Sequence, residues 1–154
     1  QNIEHYSEIA KEAVNRGHLV ANHSYSHPRL LLKSPSFVRN EILKTKELLE
    51  NIGSKHLNYF RPPHTNKLIV LPLVLNSLDM TLVTGSYDPN SQYENPYPAE
   101  KVSNEVINNA EPGSIIYLHD GRDDSTEEFI KAVEMIIIKL KEDGYRFVTI
   151  DYKI

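Results

Sequence analysis

The chain has 154 residues, of which 40% are hydrophobic, and this is enough apolar content for the core of one domain. A formal net charge of -4 and the lack of any Lys/Arg cluster argue against a nucleic-acid-binding surface. The most apolar windows, residues 68–78 and 135–140, are too short for a transmembrane span. The absence of cysteine excludes disulfides and thiolate metal sites, so any metal ion must be bound by His, Asp or Glu.

The first predicted elements are a helix and a short strand. Apolar residues recur at helical spacing over residues 3–16, and Gly17 follows at the usual C-terminal stop. Residues 18–22 are apolar in the middle, which is typical of a strand. This strand leads directly into the segment His23-Ser24-Tyr25-Ser26-His27-Pro28.

His23 and His27 are candidate ligands of a metal ion. On a helical turn, side chains four residues apart lie on one side and within reach of each other, and imidazole is a common ligand of Zn2+. The spacing is weak evidence by itself, because a chain with seven histidines can contain such a pair by chance. A polar loop is the alternative interpretation. The position after a predicted strand strengthens the metal hypothesis, since α/β proteins place their chemistry at strand ends.

Helices and strands alternate along the rest of the chain, as the apolar periodicity and the Pro and Gly breakers indicate. Ser34 and Ser125 are the predicted N-caps, and Pro72 marks a kink or the start of a buried helix. The further predicted helices cover residues 35–52, 66–78, 99–110 and 126–143, and the further predicted strands cover residues 58–61, 80–84, 114–119 and 146–150. Such alternation favours a parallel sheet or barrel with crossover helices over an antiparallel architecture.

Four loops with polar groups of catalytic type follow the predicted strands, over residues 23–28, 61–64, 85–90 and 119–121. If the strands are parallel, their C-terminal ends lie on one rim. Considered alone, Arg61 would be interpreted as a surface charge and His119 as a histidine of the core. Their joint position at strand ends favours a common site. The segment 85–98, with three prolines and three tyrosines, is also long enough to suggest a function.

These residues and their order resemble the polysaccharide deacetylases of carbohydrate esterase family 4, also called the NodB-homology domain. The resemblance covers nearly the whole chain, and its motifs are Gly17-His18, Asn22 to Pro28, Phe60-Arg61-Pro62-Pro63 and Leu118-His119-Asp120. It implies an α/β fold, a distorted and incomplete (β/α) barrel of the polysaccharide deacetylase type. Residues 1–154 would form a single domain of this type that is incomplete at its N-terminus.

The resemblance also implies roles for individual residues. His23 and His27 would be two ligands of Zn2+ or another divalent metal. Arg61 would orient the catalytic base, the His64 backbone N–H would belong to an oxyanion hole, and His119 would be the general acid. The residues implied to contact the substrate are Pro63, Asp88 and Tyr117.

The implied function is metal-dependent hydrolysis of amide-linked N-acetyl groups on a polysaccharide, such as chitin-like or peptidoglycan glycan chains. A metal bound by two His and one carboxylate keeps positions open for water and for the acetamide oxygen. An aspartate takes the proton of the water, and His119 gives a proton to the leaving amine. The resemblance further implies a secreted or cell-envelope location.

The chain departs from the family pattern at four places. The Thr-Phe-Asp-Asp run of the first strand, which holds the base and the third metal ligand in the family, would precede Gln1 and is absent. Of the Asp-x-x-Asp-Trp motif only Asp88 is kept. Tyr117 stands where the family has an apolar residue two before the acid histidine, and His64-Thr65 replace an aromatic residue and a glycine.

The absent motif predicts that the 154-residue chain alone binds metal weakly and has little deacetylase activity, whereas a version with an upstream aspartate strand is active. It also predicts self-association through an exposed barrel edge. One alternative is a non-catalytic carbohydrate-binding relative, in which Tyr87, Tyr93 and Tyr97 stack on sugars, although these side chains could equally pack the long loop. Another alternative is a small-amide or peptidoglycan-directed member with the same site.

Overall fold

The computed structural model describes residues 1–65, 69–120 and 125–152. The chain divides into two compact units, one from Gln1 to Thr84 and the other from Gly85 onward. The single domain over residues 1–154 stays a prediction.

The helices follow the predicted order. The first unit contains α1 (Asn2–His5), α2 (Ser7–Asn15), α3 (Pro35–Asn51) and α4 (Val70–Ser77), and the second contains α5 (Ala99–Asn109) and α6 (Thr126–Glu142). A single first helix over residues 3–16 was the wrong prediction, because Tyr6 adopts φ -128 and ψ 43 and so separates α1 from α2.

Local sequence signals explain how the longer helices begin and end. The Ser34 hydroxyl accepts a hydrogen bond from the Phe37 N–H at 3.2 Å, as expected of an N-cap, and Pro35 follows in the first turn of α3. Gly53 and Gly144 follow α3 and α6 with φ of 80° and 89°, a conformation that glycine adopts without steric cost. The α4 helix begins near Pro72, as predicted, and residues 66–68 of its predicted start lie outside the described residues.

The strands of the first unit are parallel but shorter than predicted. β1 (Tyr59–Phe60) pairs in parallel with β2 (Thr81–Leu82), and Asn22 forms a parallel bridge to Phe60 on the other side of β1. The predicted strand over residues 18–22 is therefore reduced to one bridge. The ladder is short because Pro62 and Pro63, which follow Arg61 after the end of β1, have no N–H to extend it.

The strand predictions in the second unit need two corrections. Residues 114–119 contribute one parallel bridge, from Ile116 to Tyr87, instead of a strand. Residues 146–150 are not a strand, and Phe147, Val148 and Ile150 are 52%, 55% and 41% exposed. A strand needs a neighbouring backbone to pair with, and no other described residue provides one for this segment.

Each unit has its own apolar core. In the first, α3 and α4 pack on β1 through a cluster of buried side chains: Leu30, Val38, Ile42, Phe60, Leu71, Val74, Leu75 and Met80. In the second, α5 packs on α6 through Val102, Val106, Ala132, Ile136 and Leu140. The first core fixes β1 and thereby the loop that follows it at Arg61. In the part of the chain that the structure describes, no helix is long and apolar enough to cross a membrane.

Candidate functional site

The predicted site residues are divided between the two units. His23, His27, Arg61, Pro63 and His64 belong to the first unit, and Asp88, Tyr117 and His119 belong to the second. Gly121, the last residue of the fourth predicted loop, lies outside the described residues. Within each unit, the structure brings several of these residues together.

Three histidines of the first unit form a row of contacting rings. The ring centroids of His23 and His27 are 5.0 Å apart, and those of His27 and His64 are 4.7 Å apart. The predicted proximity of His23 and His27 is thus observed. The helical turn proposed to explain it was wrong, because Ser24 and His27 have positive φ of 65° and 53° and the segment is a loop.

Asn22 fixes the start of this histidine loop. Its side chain is 1% exposed, and its amide Nδ2 donates to the Ile42 carbonyl of α3 at 2.9 Å. Its Oδ1 accepts from the Ser24 N–H at 3.0 Å, and the Ser24 hydroxyl accepts from the His27 N–H at 3.1 Å. Since a buried amide left without partners costs about 1–3 kcal/mol, these bonds favour one conformation of the loop.

Glu41 of α3 holds the middle of the same loop, and sequence analysis did not single it out. One carboxylate oxygen accepts from the Tyr25 N–H at 3.1 Å and from the Ser26 N–H at 2.9 Å. The other oxygen accepts from the Ser26 hydroxyl at 2.9 Å. Hydrogen bonds to a charged acceptor are stronger than neutral ones. The Glu41 carboxylate therefore attaches the loop between His23 and His27 to α3.

The orientation of His23 determines which of its ring nitrogens carries a proton. The His23 Nδ1 lies 2.7 Å from the Arg61 carbonyl oxygen. A carbonyl oxygen only accepts, so Nδ1 must carry the hydrogen and the lone pair of the neutral ring is on Nε2. The Arg61 N–H donates in turn to the Asn22 carbonyl at 2.9 Å, which holds the acceptor in place. Metal-ligating histidines typically donate their second N–H to a backbone carbonyl in this way.

The donor set fits part of a zinc site. His23 and His27 supply two imidazoles in contact, and the His23 ring has the orientation of a ligand. Catalytic zinc sites use three protein ligands and keep a further position for water or substrate. Among residues 1–65, 69–120 and 125–152, no group of three His, Cys, Asp or Glu side chains is arranged to hold a metal ion. His23 and His27 stay predicted ligands of such a site.

The segment after β1 places Arg61 and His64 around two prolines. Pro63 is buried, whereas Arg61 and His64 are exposed. His64 and Thr65 both have φ of 54°, which is unusual for a bulky and for a β-branched residue, and the Thr65 N–H donates to the Pro62 carbonyl at 3.3 Å. The roles of the Arg61 side chain, the His64 N–H and Pro63 stay predictions.

In the second unit, Gln92 connects Asp88 to His119. The Gln92 Oε1 lies 3.0 Å from the His119 backbone nitrogen and 3.1 Å from its Nδ1. The Gln92 Nε2 donates to Asp88 Oδ1 and lies 3.3 Å from the Tyr117 carbonyl oxygen. Gln92 is 1% exposed, whereas Asp88 and His119 are exposed. Gln92 was not predicted from the sequence. It lies in the segment that corresponds to the Asp-x-x-Asp-Trp motif of the family, in which only Asp88 matches.

Glu105 of α5 holds the loop that carries Asp88. Its carboxylate accepts hydrogen bonds from the Tyr87 hydroxyl at 3.0 Å, from the Asn90 and Ser91 N–H groups at 2.8 and 3.1 Å, and from the Ser91 hydroxyl. The Ser91 hydroxyl is the main cause that lowers the pKa of Glu105 below its ordinary value. Burial, and then the hydrogen bond to Glu105, raises the pKa of Tyr87.

The aromatic residues of the second unit have different environments. Tyr97 is 5% exposed and lies in the core, so it packs the loop, in agreement with one of the two interpretations given for it. Tyr117 is 8% exposed, and its ring occupies the place where a Cβ on Gly85 would lie, 2.3 Å from the nearest ring carbon. Tyr93 is 50% exposed, donates to Asp88 at 3.0 Å, and has its ring centroid 5.8 Å from that of His119. Of the three tyrosines of the long loop, Tyr93 has the environment that would suit contact with a sugar.

Comparison with known proteins connects both sets of residues to one family. Residues 1–83 match the family model described as polysaccharide deacetylase. The chain is 31% identical over 150 residues to a peptidoglycan-N-acetylglucosamine deacetylase of Bacillus cereus, covering 97% of this chain and 54% of that protein. It is 34% identical over 117 residues to a chitooligosaccharide deacetylase of Azorhizobium caulinodans, covering 75% of this chain and 55% of that protein. The chain thus spans about half the length of these curated relatives.

A solved structure has the same fold. The crystal structure of the Bc1960 peptidoglycan N-acetylglucosamine deacetylase superimposes with a TM-score of 0.86 at 31% identity, covering 97% of this chain and 69% of that one. This confirms the fold class predicted from the sequence, the α/β barrel of the polysaccharide deacetylase type, of which the chain spans a part.

Proposed function

The chain belongs to the polysaccharide deacetylase family, and we propose that the protein is a metal-dependent hydrolase that removes N-acetyl groups from a polysaccharide. The observation that carries the proposal is the histidine loop of the first unit. There His27 contacts His23, whose Nδ1–H donates to the Arg61 carbonyl at 2.7 Å. Two imidazoles in contact, one of them oriented by a backbone carbonyl, are suited to bind a borderline metal ion such as Zn2+.

In the proposed reaction, water adds to the amide carbonyl carbon, the C–N bond breaks, and acetate and a free amine are formed. A divalent metal held by His23 and His27 would supply Lewis acidity and would lower the pKa of water. An aspartate base, which Arg61 would orient, takes the proton of the water. His119 in its protonated form gives a proton to the amine nitrogen as the C–N bond breaks. Asp88 and Tyr117 contact the sugar, and the backbone N–H of His64 donates to the developing oxyanion.

The proposed substrates are N-acetylated glycans of the peptidoglycan type or the chitin type. Relatives of both kinds support this choice, since one is named a peptidoglycan-N-acetylglucosamine deacetylase and another a chitooligosaccharide deacetylase. Both substrates present the same chemical group, an acetamide on an equatorial sugar carbon. A polymer of the cell wall would place the protein outside the cytoplasmic membrane or in the envelope, which is the location that we propose.

Acetate release tests this proposal. The product of the complete reading frame that contains these residues would be incubated with peptidoglycan glycan strands, with chitooligosaccharides, and with fully de-N-acetylated chitosan oligomers as the blank. We expect acetate from at least one N-acetylated substrate, with one new amine per acetate, and none from the blank. No acetate from either N-acetylated substrate would contradict the proposal.

A non-catalytic carbohydrate-binding protein is the second candidate. One observation favours it, namely that the described residues supply two ligands and no arrangement of three. The same samples distinguish the candidates, because a binding protein would retain the N-acetylated oligomers without releasing acetate or generating amines.

A further inference from the structure

We propose that Gln92 is the positioning residue of His119: its side-chain amide fixes the imidazole with the hydrogen on Nδ1, so that Nε2 is the nitrogen that transfers a proton. The four contacts of the Gln92 amide to Asp88, Tyr117 and His119 carry this inference. The part that concerns proton transfer rests on the function proposed above, whereas the part that concerns the ring does not.

The neighbours of Gln92 determine which way its amide points. An Asp carboxylate and a backbone carbonyl only accept hydrogen bonds, so the NH2 group of Gln92 must face Asp88 and the Tyr117 carbonyl. The oxygen of the amide then faces the backbone N–H of His119, which only donates. Reversing the amide would place its one oxygen against two other acceptors and its NH2 group against the His119 N–H, which is a donor. All these contacts therefore agree on a single orientation.

The orientation of Gln92 in turn determines the tautomer of His119. The Gln92 Oε1 is an acceptor, and it lies 3.1 Å from the His119 Nδ1. A favourable contact requires a hydrogen on Nδ1, which leaves Nε2 as the basic nitrogen of the neutral ring. In water, neutral histidine prefers the tautomer with the hydrogen on Nε2. Gln92 therefore favours the tautomer that histidine does not prefer by itself, and this difference can be measured.

Burial makes Gln92 suitable for this function. It is 1% exposed, and a buried polar group that loses its hydrogen-bond partners destabilises the folded state. The backbone N–H groups of Asn90 and Ser91 donate to Glu105 of α5, which fixes the turn from Asn90 to Tyr93 on which Gln92 lies. The exposed imidazole of His119 is therefore hydrogen-bonded to the buried side-chain amide of Gln92, whose oxygen and nitrogen both have hydrogen-bond partners. The amide carries no charge, so it can orient the ring without the charge of a carboxylate.

The experiment measures the nitrogen resonances of the His119 ring directly. In uniformly 15N-labelled protein, at a pH where the ring is neutral, long-range proton–nitrogen spectra distinguish a protonated ring nitrogen from an unprotonated one. The His119→Gln variant identifies the resonances. We expect Nδ1 to be protonated in the parent, and we expect Gln92→Leu to move the ring toward the Nε2-protonated form.

Ser91→Ala is the matched control, because it removes a hydrogen bond of the adjacent buried residue in the same turn without removing a contact to His119. It should leave the tautomer of His119 unchanged. A parent ring protonated at Nε2, or a Gln92→Leu ring with the same tautomer as the parent, would overturn the proposal. If Gln92→Leu does not fold, the parent spectrum still decides, since it must show the hydrogen on Nδ1.

Kinetics provide the second readout. In the product of the complete reading frame, Gln92→Leu should lower kcat by up to about 100-fold with little change in KM. The reason is that a misplaced proton donor affects the chemical step more than substrate binding. Ser91→Ala should leave kcat unchanged. If the parent releases no acetate, the proposed function fails, and the nitrogen spectra still test the role of Gln92.

Discussion

The Nδ1 atom of His23 lies 2.7 Å from the carbonyl oxygen of Arg61. A hydrogen bond therefore joins the loop that contains His23 and His27 to the segment after β1. The bond leaves the lone pair of neutral His23 on Nε2, and the adjacent ring belongs to His27. This relationship connects two motifs that are 38 residues apart in the sequence.

The first prediction concerns zinc binding by the 154-residue chain. Calorimetric titration should show weak binding, since the described residues offer two ligands where a catalytic site has three. His27→Ala should lower the affinity by at least about tenfold. His5→Ala, which changes an exposed histidine at the end of α1, should leave the affinity unchanged. Tight stoichiometric binding would mean that a further carboxylate completes the ligand set. Equal binding by the parent and His27→Ala would show that this pair is not the site.

The second prediction concerns Glu41. Glu41→Ala removes the acceptor of hydrogen bonds from Tyr25 and Ser26, which lie between the two histidines. The loop should then hold His23 and His27 less firmly, and zinc affinity should fall by about tenfold, as for other residues that support metal ligands. Glu47→Ala alters an exposed glutamate of the same helix and should have no effect on zinc. Equal losses in the two variants would mean that α3 as a whole, and not this carboxylate, is responsible.

The third prediction concerns the pH dependence of stability through Glu105. Its pKa in the folded protein is below the ordinary value of 4.5, chiefly because the Ser91 hydroxyl donates to the carboxylate. The unfolded chain therefore binds the proton more readily, so the stabilisation is present above about pH 4.5 and is lost as the pH falls through the folded pKa. Glu105→Gln should cost about 1 kcal/mol at neutral pH and should lose less stability on acidification than the parent.

Urea unfolding at a series of pH values measures this effect. Exposed Glu111→Gln is the control and should follow the parent curve. Parallel curves for the parent and Glu105→Gln would rule out a contribution from the lowered pKa.

The fourth prediction concerns the close contact between Gly85 and Tyr117. A Cβ at residue 85 would lie 2.3 Å from the Tyr117 ring, so Gly85→Ala should destabilise the protein by about 1–3 kcal/mol through overpacking. Adding Tyr117→Leu should recover part of the loss because it removes the ring. Adding Tyr117→Phe should not, because it keeps the ring. Recovery by Phe, measured by the urea midpoint, would locate the conflict at the hydroxyl instead.

The elements that could be predicted from the sequence are those that depend on near neighbours. The helices α3 and α6 were placed because their apolar periodicity, the Ser34 cap and the following glycines are local signals. The strands were overestimated because pairing is decided by distant backbone. The predicted strand over residues 146–150 has the right composition, and no other described residue pairs with it.

Only part of the candidate site could be predicted from the sequence. The family motifs indicated His23, His27, Arg61 and His119, and the structure brings the first two into contact. Glu41 and Gln92 were not foreseen, because they act on partners 15 and 27 residues away and leave no periodic pattern. A buried glutamine in a loop rich in Pro, Asn and Ser resembles an ordinary turn residue until its contacts are known.

The central claim is that a metal held by His23 and His27 is required for deacetylation, and acetate release before and after metal removal tests it most directly. The product of the complete reading frame would be assayed on chitooligosaccharides and peptidoglycan glycan strands as prepared, after chelation, and after addition of Zn2+. We expect chelation to abolish acetate release and Zn2+ to restore it, and we expect no restoration by Zn2+ in the His23→Ala/His27→Ala variant. Acetate release that is undiminished by chelation, or equal in the double variant, would show that the reaction does not depend on a metal at this pair.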